Sequence, residues 1–173
     1  MFFIRKTELS NEDKEKIIED VLHLYKINDW CFDYPPYQTW PTLFEKTDSH
    51  WMNLKKSFTN AVGSIVDLSV FYTRCWAYTN IPNIKVENED LLWHQHKSPN
   101  KDFDKVLSAC FYLSLPEGSF TTEYIIDNEI KNMPYEENSW TVFPGNLQHR
   151  PGKWDAQKMN VHRIVLAADC YFK

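Results

Sequence analysis

Two hydrophobic periods divide the chain near residue 70. Before it, apolar positions recur at helical spacing; after it, they gather in short runs rich in β-branched and aromatic residues. In SNEDKEKIIEDVLHLYK, Ile17, Ile18, Val21, Leu22 and Tyr25 form one apolar stripe. Ser10 opens this segment with Asp13 three residues on, a spacing that predicts a capped helix N-terminus. A second helix is predicted from Ser49, with Trp51, Leu54, Phe58, Val62 and Ile65 on one face. Between the two, NDWCFDYPPYQTWP reads as a loop or short extended piece whose aromatics either pack on the domain or line a pocket.

The second half predicts strands at VFYTRCWAY (70–78), LLWHQH (91–96), VLSACFYLSL (106–115), FTTEYII (120–126), SWTVF (139–143) and HRIVLAADCYF (162–172). Loops with Pro, Gly or Asn separate them, and no helical run is interleaved. That order argues for an antiparallel sandwich or barrel braced on one face by the helices, a mainly β fold of α+β type. Neither a repeat nor a linker divides the chain. It is read as a single domain over 1–173, with residues 1–69 as helical and loop support and 70–173 as the β core.

Composition narrows the function. Apolar residues make up 43% and charged residues 25%, and only four glycines occur, which excludes a disordered or collagen-like chain. A net charge of -5 without a long basic run makes nucleic acid a poor default partner. The four cysteines form no CxxC pair, so neither a zinc knuckle nor a redox couple is indicated. The opening MFFIRK is too short for a signal segment and no run reaches membrane length, which points to the cytoplasm.

The candidate chemistry lies in the histidines. In LLWHQHKS, His94 and His96 are two apart, so a strand would project both to one side and Trp93 and Gln95 to the other. Alone, an HxH pair is weak as a metal signature. SWTVFPGNLQHRPGKW adds His149 just after a Pro-Gly turn. In HRIVLAADCYF, Arg163 leads a strand whose neighbours on the same face are Val165 and Ala167, so its guanidinium either points into a cavity or sits at a strand edge.

The order of HxH, YLSLPEGSFTTEY, the WTVFP strand with His149, and RIVLAAD resembles the Fe(II)- and 2-oxoglutarate-dependent oxygenases, over roughly residues 90 to 170. It is most similar to a small branch found in phages and bacteria. The resemblance implies a double-stranded β-helix, or jelly roll, with helices on one sheet. It makes His149 the distal iron ligand, Arg163 the partner of the far carboxylate of 2-oxoglutarate, and His94 the proximal histidine. The family's third ligand is a carboxylate two residues on, and here that position is His96. Either three histidines hold the metal, or His96 is the proximal ligand with His94 outside the ligand set and a carboxylate comes from elsewhere, with Glu123 the candidate. Tyr112 is a candidate for hydrogen bonding to the co-substrate, and Arg150 and Trp154 for lining the substrate mouth. The implied cofactors are Fe(II), 2-oxoglutarate and dioxygen, and the implied partner is a small-molecule or peptide substrate. The implied location is the cytoplasm, that of the host if the chain is phage-encoded. Two other readings fit parts of the pattern: a cupin-like barrel that binds a metal or ligand without 2-oxoglutarate, and a non-enzymatic jelly-roll protein.

Overall fold

The helical stripes fold where their period predicts them. In the computed structural model, which describes residues 1–30, 37–80, 92–97, 105–153 and 161–173, α1 spans Asn11–Lys26 and α2 spans Ser49–Gly63. Ser10 caps α1, its Oγ accepting from the Asp13 amide at 3.0 Å. Ile17 and Val21 of α1, and Trp51, Leu54, Phe58 and Val62 of α2, are wholly buried. Burial of each such side chain contributes about 1.5–3 kcal/mol, which is what fixes two short helices to the sheet.

The strands are β1 (Phe3–Lys6), β2 (Tyr37–Gln38), β3 (Phe71–Asn80), β4 (Lys105–Ser114), β5 (Glu123–Ile126), β6 (Glu129–Asn132), β7 (Ser139–Pro144), β8 (His149–Arg150) and β9 (Arg163–Phe172). They form two sheets, β1-β7-β4-β9-β3-β2 and β6-β5-β8, with every strand pair antiparallel. The fold is mostly β with two helices, arranged as antiparallel sheets.

Period-two alternation sorts the large sheet into two faces. Cys75, Ala77, Leu107, Ala109, Phe111, Trp140, Val142, Ile164, Leu166 and Ala168 join the helices in one apolar cluster. The alternate residues face the other way, where Cys110, Tyr112, Phe143 and Val165 form a smaller cluster. Strand β9 is covered on both faces, so all ten of its residues are buried.

Some expectations change. The predicted strand at 91–96 is not one: within residues 92–97 His94 makes an isolated antiparallel bridge to His149. Two amides there find ladder partners, His94 on His149 and His96 on the Gly145 carbonyl, too few for a regular strand. The run 120–126 is strand only from Glu123, because Phe120 bonds instead to the Lys153 carbonyl. The short strands β1, β6 and β8 were not foreseen, whereas β2 is the short extended alternative of the proline-rich segment. β6 is exposed throughout and so lacks an apolar pattern; its hairpin with β5 is set by Asp127 and Asn128 at φ 53° and 62°, the two-residue turn that matches strand twist. The segment at 31–36 of the proline-rich loop, and with it Cys31, lies outside the described residues. The other three cysteines are buried free thiols. Among the described residues no helix is long and apolar enough to cross a membrane.

Candidate metal centre

Three histidines from two segments converge between the sheets. The mutual bonds of His94 and His149, amide to carbonyl at 2.9 and 3.0 Å, lay residues 92–97 alongside β8. His96 follows two residues on and projects to the same side, its ring 5.2 Å from that of His94. The ring of His149 lies 4.4 Å from that of His94 and 5.0 Å from that of His96. One ligand atom from each of the three lies within 4.8 Å of the others, a group able to hold a metal ion.

Each ring is fixed through Nδ1. His94 Nδ1 pairs with the Leu92 carbonyl at 3.1 Å and His149 Nδ1 with the Leu147 carbonyl at 2.8 Å. His96 Nδ1 pairs with Asp169 Oδ1 at 2.5 Å. A proton on Nδ1 satisfies all three contacts and leaves Nε2 as the atom available to a metal, the usual arrangement for ligating imidazoles.

Close backbone approach holds the segments together. A Cβ on Gly145 would come within 2.5 Å of Val106 Cγ1, and the same glycine's carbonyl receives His96. On the side away from the rings, Trp93 stacks under Arg150, whose guanidinium carbon is 4.4 Å from the ring centre. Arg150 in turn bonds Glu123 Oε2 at 2.8 Å through Nε and 2.7 Å through Nη2. This buried chain ties β5, β8 and residues 92–97 into one unit.

The histidines line one pocket with Trp76, Tyr78, Cys110, Thr122 and Arg163, among others. Arg163 is 1% exposed. Its Nη1 donates to Asn80 Oδ1 at 3.1 Å and its Nη2 to the Phe120 carbonyl at 3.0 Å, while Nε has no partner. Burial pushes its pKa down from the ordinary value. Among the described residues no carboxylate pairs with it. A buried cation without a counter-charge is costly unless something supplies one. Gly152 lets the chain pass close to this carbonyl, since an added Cβ would fall 2.6 Å from the Phe120 oxygen and 1.8 Å from the Thr121 oxygen.

The sequence-derived residues therefore divide. His94, His96, His149 and Arg163 are brought to one cavity. Glu123 is not in the metal-capable group, its carboxylate being taken by Arg150. Arg150 is buried in that pair and against Trp93, so its side chain braces the site from behind. Tyr112 is not among the described residues lining the cavity; its hydroxyl donates to Thr122 Oγ1 at 3.1 Å and accepts from the Thr122 amide at 3.0 Å. Trp154 lies outside the described residues. Sequence reasoning missed Asp169 and Asn80. A charged residue inside the apolar run RIVLAADCYF, on the same face as Arg163, was the readable signal for the first; Asn80 carried none.

Electrostatics keep the His94 and His149 rings neutral. Burial, then the facing His94, push the His149 ring down to about 3. Burial is also the main cause lowering His94, with His96 adding to it. Burial alone would raise Asp169, but the bond and charge of His96 and the Tyr171 and Ser108 hydroxyls reverse this and hold it at about 2. Unfolded imidazoles take up protons near pH 6.5, whereas native His149 refuses one until about pH 3. The unfolded state then binds more protons across that window, so stability is full above about 6.5 and falls as pH drops below it. The Asp169 contribution is present above its unfolded value of 3.8 and is lost as pH falls toward about 2. Urea midpoints of the metal-free chain are expected to fall from pH 7 to pH 5, at up to about 1.4 kcal/mol per pH unit for each excluded proton. A flat profile over that range would show that the imidazoles are not buried as neutral bases.

No protein-family model and no curated relative matches the chain. Solved structures do. HygX from Streptomyces hygroscopicus, solved with nickel, 2-oxoglutarate and hygromycin B bound, aligns at a TM-score of 0.69 and 10% identity, over 99% of this chain and 83% of its own. A prolyl-4-hydroxylase from Pseudomonas putida aligns at 0.66 and 11%, over 99% and 92%. The viral collagen prolyl hydroxylase of Paramecium Bursaria Chlorella virus-1 aligns at 0.60 and 12%, over 99% and 90%. At these identities the likeness defines the fold, and it extends over nearly the whole chain.

Proposed function

We propose that this chain is an Fe(II)- and 2-oxoglutarate-dependent oxygenase, a hydroxylase of a small-molecule or peptide substrate, built on a double-stranded β-helix. The observation that carries the reading is one cavity holding both a three-imidazole cluster and a buried guanidinium that, among the described residues, lacks a counter-ion. The donor set fits the absent groups. Imidazole suits iron, and three protein ligands leave positions for a chelating co-substrate and dioxygen. When bound, iron and 2-oxoglutarate supply oxidative decarboxylation coupled to oxidation of a substrate C–H bond.

The chain's residues do the rest. His94, His96 and His149 present rings fixed at Nδ1, so little reorganisation accompanies metal binding. Arg163 would receive the far carboxylate of the co-substrate, with Asn80 and the Phe120 carbonyl holding the guanidinium plane. Val165, Ala167 and Phe143 line the space between and exclude water. Neighbours of this fold support the class: HygX was solved with 2-oxoglutarate, and two others are named prolyl hydroxylases. SnoN, another neighbour, is named an alpha-ketoglutarate-dependent epimerase, so the fold by itself does not choose hydroxylation. Three buried free thiols accord with a reducing cytoplasm.

A second reading, a cupin-like metal site without 2-oxoglutarate, draws on the all-imidazole cluster, which lacks the carboxylate of the resembled family. One experiment separates the two. Anaerobic addition of Fe(II) and 2-oxoglutarate is expected to give the weak visible charge-transfer band of a chelated keto acid. Metal binding without that band would select the cupin-like reading.

A further inference from the structure

Behind the cluster lies a fully buried carboxylate that the proposed reaction does not use. Asp169 sits on β9, directly opposite Arg74 of β3 and Ser108 of β4 in the strand registers. Its side chain is 0% exposed. Oδ1 accepts from His96 Nδ1 at 2.5 Å and from Ser108 Oγ at 2.7 Å. Oδ2 accepts from the Tyr171 hydroxyl at 2.7 Å and from Arg74 Nη2 at 3.0 Å, and the same Arg74 Nη2 also contacts the Tyr171 hydroxyl. These four groups, one each from residues 92–97, β3, β4 and β9, account for the lone pairs of both oxygens.

We infer that Asp169 is a positioning residue of the metal centre: through His96 it fixes that ring's tautomer and orientation and places negative charge one residue removed from the metal, where the resembled family has a carboxylate ligand. The inference rests on the metal-binding part of the proposed function.

Three observations carry it. The first is asymmetry. His94 and His149 lean on backbone carbonyls, and only His96, at the position of the family's carboxylate, leans on a charged group. The second is that the fold does not need the charge. β3, β9 and β4 are already joined along nearly their full lengths by backbone ladders, and a buried ionic group usually stabilises less than an apolar one of its volume. The third is geometry. Asp169 does not line the cavity, whereas His96 does, so its reach to a metal passes through the imidazole. A carboxylate on the outer nitrogen makes the ring a stronger donor and locks its rotation.

The test uses the full chain, freed of metal, with Co(II) alone as probe and a competing chelator to measure affinity. Asp169→Asn keeps shape and removes charge; it is expected to weaken Co(II) binding roughly 10–100-fold. In a His96→Gln background the same change is expected to cost almost nothing more, because its route to the metal is gone. Equal losses in both backgrounds would overturn the inference and make Asp169 merely structural. Should Asp169→Asn fail to fold, nitrogen-15 NMR of the metal-free native chain decides. A His96 ring protonated on Nδ1, with that proton far downfield, is expected; a ring protonated on Nε2 alone would refute it. Because 2-oxoglutarate is absent throughout, loss of the oxygenase reading would show only in the missing keto-acid band, and loss of this inference only in the Co(II) cycle and the ring tautomer.

Discussion

Arg163→Met should abolish 2-oxoglutarate binding and leave the metal in place. The guanidinium is 1% exposed, has no carboxylate partner among the described residues, and keeps an unpartnered Nε. Removing one member of a buried, hydrogen-bonded charge pair costs about 2–5 kcal/mol. The dissociation constant for 2-oxoglutarate should therefore rise by roughly 30-fold to several thousand-fold, since about 1.4 kcal/mol is tenfold. None of the three histidines bonds to Arg163, so Co(II) or Fe(II) affinity should stay near wild type. Stability should move the other way. Without co-substrate the native protein buries a cation that no described carboxylate compensates, and methionine removes that cost. The metal-free variant should melt at or above the wild-type temperature, and added 2-oxoglutarate should raise the melting temperature of the wild type alone. Unchanged 2-oxoglutarate affinity in Arg163→Met would sink the anchoring role.

His149→Ala should cost more metal affinity than any change outside the three ligands. It deletes one of three ligands, so the loss should exceed the roughly 10–100-fold that follows when only an outer partner is removed. The site's frame should survive, because the bridge between the two histidine segments runs through the backbone amides and carbonyls of His94 and His149 rather than their rings. The ring also packs on Phe143, at 5.0 Å between centroids, so a cavity and a modest stability loss are expected. The variant should in addition lose part of the acid sensitivity of the metal-free chain, because the buried imidazole held at about 3 is gone. Isothermal titration with Fe(II) under anaerobic conditions and succinate production check the first claim; retention of either at the wild-type level would reject the ligand assignment.

The fold was legible where one face of an element is buried and the other is not. The α1 and α2 stripes and the long strands β3, β4, β7 and β9 are such elements, and their apolar spacing announces them. Strands β6 and β8 are too short or too exposed to write a pattern, and residues 92–97 imitate a strand because one bridge demands the same alternation. Of the site, His94, His96, His149 and Arg163 could be singled out because their types and order are chemically unusual. Whether Glu123 could reach a metal was not legible, since its capture by Arg150 depends on a cross-strand pairing between β5 and β8. The service of Asp169 to His96 was hidden for the same reason: the two residues meet only through tertiary structure, 73 positions apart.

Strand β9 carries both charged residues of the cavity side, Arg163 and Asp169, on one face, with Ile164, Leu166 and Ala168 facing the helices. A slip of one residue would drive both charges into the apolar layer beneath α1 and α2 and turn the apolar residues toward the cavity. The polar residues needed for chemistry thus also proofread the folding of the strand, because misaligned forms are penalised by two desolvated charges at once. Attempts to redirect the protein to other substrates should accordingly leave β9 untouched and vary the exposed Leu92 and the pocket-lining Pro151, where alignment of the central sheet is not at stake.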